Sequence, residues 1–109
     1  QYLRAAFQLP DDNSVRISLD TDLALIRERA DWKREWYVPE ERLLESDVHN
    51  FPYAVLEVKL QGVEEERPKW VSELMTSELL IPREKFSKFC HGCAVLYSDR
   101  ISLLPYWLE

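Results

Sequence analysis

The stretch Phe51-Pro-Tyr-Ala-Val-Leu-Glu-Val-Lys-Leu60 decides the fold. In an extended chain successive side chains point to opposite faces, so Ala54, Leu56, Val58 and Leu60 share one face and Tyr53, Val55, Glu57 and Lys59 the other. Two ionisable residues therefore sit inside the most strand-like segment. The same alternation recurs upstream. In Val15-Arg-Ile-Ser-Leu-Asp20 the apolar Val15, Ile17 and Leu19 oppose Arg16, Ser18 and Asp20, and in Tyr2 to Phe7 the residues Leu3, Ala5 and Phe7 oppose Tyr2 and Arg4. Turn formers from Pro10 to Ser14 separate these two strands. After a Thr21-Asp22 connection, Leu23 to Glu28 reads as a third strand, and three strands so close in sequence predict an antiparallel meander.

Downstream, residues 29–50 mix charges with Trp32, Trp36 and Tyr37 without a sustained period, which reads as a long loop. After a charged turn from Gly62 to Pro68, the residues Trp70, Val71, Leu74, Met75, Leu79 and Leu80 recur at helical spacing, and Pro82 closes the element. A second helix is expected from near Arg83, with Phe86, Phe89, Cys90, Cys93, Ala94 and Tyr97 as its apolar stripe. Ser98 to Arg100 then turns the chain into a final strand, Ile101 to Leu104, ahead of Pro105 and the aromatic pair Tyr106 and Trp107. The class is α+β: an antiparallel sheet followed by two helices.

The 109 residues allow one domain, and 46% hydrophobic content with four tryptophans supports a core despite a net charge of −6. Two glycines cannot write a Gly-rich phosphate loop. The longest apolar runs fall far short of the roughly 18 residues of a membrane helix, so a soluble segment is expected. The start at Gln1, directly in strand-like sequence, suggests a piece of a longer chain. Cys90 and Cys93 are too few for a disulfide scaffold and suit a reducing compartment.

Cys90-His-Gly-Cys93 invites a redox or zinc reading, but zinc needs about four ligands and the other histidine, His49, lies in a different segment. On the helical stripe both thiols face the core, where free cysteine acts as a small hydrophobe. The polar strand faces carry more. Arg4, Arg16, Arg27 and Lys59 accompany Glu57 and Asp20, which is either an ordinary wet sheet face or, if the sheet curls, a concavity for a phosphate-rich ligand. Lys85, Ser87 and Lys88, in the opening turns of the second helix, form another candidate phosphate site, although cations there oppose the helix dipole.

Through Arg16-Ile-Ser-Leu-Asp-Thr21, Leu23 to Glu28, Phe51 to Leu60, Pro68-Lys-Trp-Val-Ser-Glu-Leu74 and Lys85-Phe-Ser-Lys-Phe89, the chain resembles the vacuolar transporter chaperone (VTC) domain. This is the polyphosphate polymerase branch of the triphosphate tunnel metalloenzymes. The resemblance runs from Tyr2 to Leu108 and implies that residues 1–109 are the C-terminal part of an antiparallel β-tunnel, incomplete without upstream strands.

The resemblance further implies that the γ-phosphoryl group of ATP is transferred onto a growing polyphosphate chain. It implies phosphate contacts for Tyr2, Arg4, Arg16, Lys85, Ser87 and Lys88, with Arg4, Arg16 and Lys88 closest to the chemistry, and a metal-binding role for Glu57 toward Mn²⁺ or Mg²⁺. Lys59 and Arg27 join the phosphate set by pattern alone, and Asp20 is expected to support an arginine rather than a metal. The implied partners are ATP, polyphosphate and other VTC subunits, at the cytosolic face of a vacuole or acidocalcisome membrane. No nucleic acid is expected, and a membrane enters only through other parts of the parent chain. The same resemblance leaves open a non-catalytic regulatory subunit that binds polyphosphate or inositol pyrophosphates, and a tunnel triphosphatase.

Overall fold

Three long strands pair as the alternation requires, and their register places Arg4, Arg16, Ser18, Asp20, Glu57 and Lys59 on one face. In the computed structural model, which describes residues 1–28 and 39–108, β1 (Leu3–Leu9) and β2 (Asp12–Thr21) form a hairpin. The chain reverses at Pro10-Asp11, where Asp11 has a φ of 57°, and the register shifts between Gln8 and Leu9. The turn is thus shorter than the Pro10–Ser14 stretch predicts. Asp12 already belongs to the strand and accepts the Ser14 N–H at 2.8 Å.

The third strand leaves this sheet. Asp22, at a φ of 50°, swings the chain so that β3 (Ala24–Ile26) pairs with β4 (Val48–Asn50), and β2 takes β5 (Val55–Leu60) as its second neighbour. The expected three-strand meander is therefore corrected to an antiparallel β1-β2-β5 sheet beside a β3-β4 pair. Among the described residues the sheet is not closed into a barrel. Two short 3₁₀ turns, Glu40–Arg42 and Glu45–Asp47, and the strand β4 occupy the described end of the segment read as loop. The rest of that expectation, with Trp32, Trp36 and Tyr37, lies outside the described residues.

Helix α1 (Lys69–Met75) stops five residues short of the expected Leu80. The Thr76 hydroxyl donates to the Ser72 carbonyl at 2.9 Å, competing with the backbone for the last acceptors, and Leu79 is left 93% exposed. Helix α2 (Lys88–Leu96) begins later than the sequence suggests, because Ser87 is its cap: the hydroxyl accepts the Cys90 N–H at 3.2 Å. That phase turns Phe89 and Cys90 outward and leaves Cys93 half-buried, correcting the reading of both thiols as core. The residues buried instead are His91, Gly92, Ala94 and Leu96.

Gly92 lets α2 approach the second sheet closely, since a Cβ there would lie 3.3 Å from Leu25 Cδ2. Around this contact Leu23, Leu25 and Leu96 are buried, with Phe51, Val55 and Tyr97 packed on them. Residues 101–104 form no strand. They connect the 3₁₀ turns Ser98–Arg100 and Tyr106–Leu108, and the second of these brings Trp107 back onto α2.

Candidate phosphate site

The sheet register sets out three rows on the polar face. Arg4 lies opposite Asp20, which lies opposite Val55; Ala6, Ser18 and Glu57 form the middle row; Gln8, Arg16 and Lys59 form the last. Period-2 alternation on three paired strands thus brings Arg4, Arg16, Glu57 and Lys59 to one surface, with Tyr2 one step beyond β1.

Helix α2 meets this surface through its first residue. Asp20, fully buried, accepts from Arg4 Nε at 2.6 Å and from Arg4 Nη2 at 2.8 Å, and its Oδ2 lies 2.8 Å from Lys88 Nζ. The Tyr2 ring covers both cations, with its centroid 5.0 Å from the Arg4 guanidinium carbon and 5.4 Å from Lys88 Nζ. The reading of Asp20 as support for an arginine is borne out. Its bond to Lys88 was not anticipated, although the sequence held a signal: a lysine at a helix N-terminus opposes the dipole, and a facing carboxylate offsets that cost.

These contacts tune the groups. The Arg4 hydrogen bonds pull the Asp20 pKa down to about 2 against the opposing effect of burial, with Lys88 adding to the lowering. The Arg4 pKa is raised in turn, chiefly by its bond to Asp20. Asp20 is thereby held as a carboxylate between a guanidinium and an ammonium group, and the formal charge of the three is +1.

The other expected residues fall into two sets. Ser87 stands beside Lys88 as the cap, and its hydroxyl proton remains available for donation while the oxygen accepts from Cys90. Lys85 precedes the helix at a φ of 54°, exposed, so the expectation that Lys85 and Ser87 lie inside the first turns is corrected. Arg27 is drawn to the opposite end of α2. It donates to the Leu96 carbonyl and lies 5.2 Å from the Tyr97 ring centroid, a helix C-terminal anchor that suits a cation.

Glu57 is 42% exposed and 3.5 Å from Lys59 Nζ. Among the described residues no three His, Cys, Asp or Glu side chains gather to hold a metal, and both oxygens of Asp20 are engaged by cations. One carboxylate beside an exposed basic surface suits Mg²⁺ or Mn²⁺, which keep waters and take substrate phosphate oxygens. It does not suit a closed zinc site. Among the described residues no helix is long and apolar enough to cross a membrane.

The VTC domain model matches residues 1–97. The chain is 50% identical to vacuolar transporter chaperone complex subunit 4 of Schizosaccharomyces pombe, over 97% of the chain and 16% of that protein. It is 42% identical to subunit 4 of Trypanosoma brucei brucei, over 99% and 14% respectively, and 38% identical to subunit 2 of S. pombe, over 98% and 17%. The chain thus spans about a sixth of the length of the curated relatives it matches.

Proposed function

Because the chain belongs to the VTC domain family, we propose that it forms part of an ATP-dependent polyphosphate polymerase within a vacuolar transporter chaperone complex. The observation that carries the reading is the joining of strand and helix cations, Arg4 and Lys88, at one end of a sheet face that also bears Arg16, Lys59 and Glu57. Phosphoryl transfer asks a protein for positioning and for stabilisation of spread negative charge rather than for covalent chemistry. The terminal oxygen of the growing chain attacks the γ-phosphorus as the bridge to the β-phosphate breaks, and ADP leaves. Through this step the remaining donors of Arg4 and Lys88 bind the equatorial oxygens, and the Ser87 hydroxyl donates beside them. Arg16 and Lys59, farther along the face, hold the phosphates that flank the reacting one. Lys85 is the exposed cation before α2 that a longer chain reaches.

Glu57 is the residue that would hold a divalent ion, whose charge would offset that of the phosphates. Other subunits of the complex are the expected partners, and a vacuole or acidocalcisome membrane, approached from the cytosol, the expected place. The relatives include both subunit 2 and subunit 4 of the complex, so a second reading stands beside the first, a regulatory subunit that binds polyphosphate without making it.

The test is incubation of the complete parent protein, and of its Glu57→Ala form, with ATP and Mn²⁺, with products resolved by chain length. Long chains that vanish in the variant support the polymerase. Free phosphate alone would replace it with a triphosphatase, and binding without product would replace it with the regulatory subunit.

A further inference from the structure

We propose that Asp20 is a positioning residue of this site, holding Arg4 and Lys88 at a fixed spacing so that only their remaining donors face the incoming phosphoryl group. The proposal rests on the phosphate-transfer reading above. Among the described residues, Asp20 ties β1, β2 and α2 together at the polar face. Its Oδ1 takes Arg4 Nε, and its Oδ2 takes both Arg4 Nη2 and Lys88 Nζ. Two consequences follow from this connectivity.

The first concerns orientation. A free guanidinium presents forked pairs of donors to any phosphate. With its Nε edge docked on Asp20, Arg4 instead presents its outer nitrogens in one fixed direction. Lys88 is a flexible ammonium on a long stem, and here one of its protons is committed to the same carboxylate while Tyr2 covers its flank. The second concerns charge. Without Asp20 the pair would carry two positive charges and hold the ground state of any polyphosphate strongly. With it the pair carries one, so binding contributed by these two residues is weaker and more directional. Interactions made equally with ground state and transition state do not raise turnover, and small misplacements of such groups can cost about 10²-fold in rate.

The experiment compares wild type, Asp20→Glu and Asp20→Asn in the complete parent protein. Binding is read with inorganic tripolyphosphate by calorimetry, turnover as ATP-dependent chain growth, and folding by thermal melting. Asp20→Glu keeps the charge and shifts the carboxylate by one methylene, so it is expected to bind tripolyphosphate as wild type does while kcat falls roughly 10- to 100-fold. Asp20→Asn is expected to bind tripolyphosphate as tightly as wild type or more tightly, with KM for ATP not raised and kcat lowered at least as far.

Wild-type kcat in a folded variant would overturn the role, as would a loss confined to binding and KM. Failure of both variants to fold would make Asp20 a folding residue and also overturn it. A wild-type protein without turnover would overturn the polymerase reading, and the Asp20 role with it, whereas an active wild type with unchanged variants overturns the Asp20 role alone.

Discussion

The two ends of the polar sheet face are built from the same residue types and differ in burial. At one end Arg4 and Lys88 converge on a fully buried carboxylate beneath an aromatic ring. At the other, Arg16 and Lys59 lie side by side in the register, both exposed, with Glu57 beside them. Buried, paired charges are directional and resist salt, whereas exposed ones are screened and mobile. The buried end is therefore suited to holding one phosphoryl group in a set geometry, and the exposed end to gripping successive phosphates as a chain moves along the face.

Single substitutions test that division. Lys88→Ala in the complete parent protein is expected to lower the rate of chain growth about 10²-fold or more, the size typical of losing one preorganised donor to developing charge. Arg16→Ala is expected to act more weakly, by about tenfold, and mainly to shorten the products, because an exposed cation contributes to binding more than to geometry. Gel separation of products after equal ATP consumption measures both effects. If Arg16→Ala slows the reaction as much as Lys88→Ala without shortening chains, the two ends do the same work and the division is wrong.

The division was half legible in the sequence. Alternation alone placed Arg4, Arg16, Glu57 and Lys59 on one face, since a strand's period of two is independent of which strands pair. It could not say that β5 rather than β3 lies beside β2, because that choice rests on the left-handed turn at Asp22. Helical spacing found α2 but misplaced its start: Phe86 fits the periodic stripe, while the cap at Ser87 sets the true phase and with it the burial of His91 and the exposure of Cys90. Strand pattern puts Arg27 with the phosphate set, whereas tertiary contact sends it to the far end of the helix. The Asp20–Lys88 bond joins residues 68 positions apart and leaves no periodic trace.

The ends also differ in what acid does to them. The Asp20 pKa is depressed to about 2 from an ordinary value of 3.8. Its contribution to stability is therefore fully present above about pH 4 and is lost as pH falls through about 2. Acid unfolding of the complete protein, followed by circular dichroism, is expected to include this step in wild type and to lack it in Asp20→Asn. Identical acid limbs in the two proteins would show that the buried pairing contributes nothing.

The smallest expected effect lies behind the buried end, where an aromatic cage seats α2. His91 Nδ1 accepts from Trp107 Nε1 at 3.2 Å, and the imidazole lies 4.9 Å from the Phe51 ring and 5.7 Å from Phe86. Burial, with His49 nearby, lowers the His91 pKa, so the folded protein holds it neutral and free to accept. Its contribution is complete above about pH 6.5, and declines as pH falls below that value toward the lower folded pKa, because the unfolded chain takes up the proton first. Trp107 lies 5.2 Å from Phe86 between ring centroids, tilted by 56°; Trp107→Phe keeps an aromatic ring there but removes the donor, and is expected to cost about 0.5–1.5 kcal/mol near neutral pH. The loss should shrink as pH falls through the lowered pKa of folded His91, where protonation of Nδ1 would break the same bond in wild type. A pH-independent loss in thermal melts would mean that Trp107 holds α2 by packing alone. The seat of Lys88 would then rest on Asp20 and ring contacts, with no part played by the imidazole.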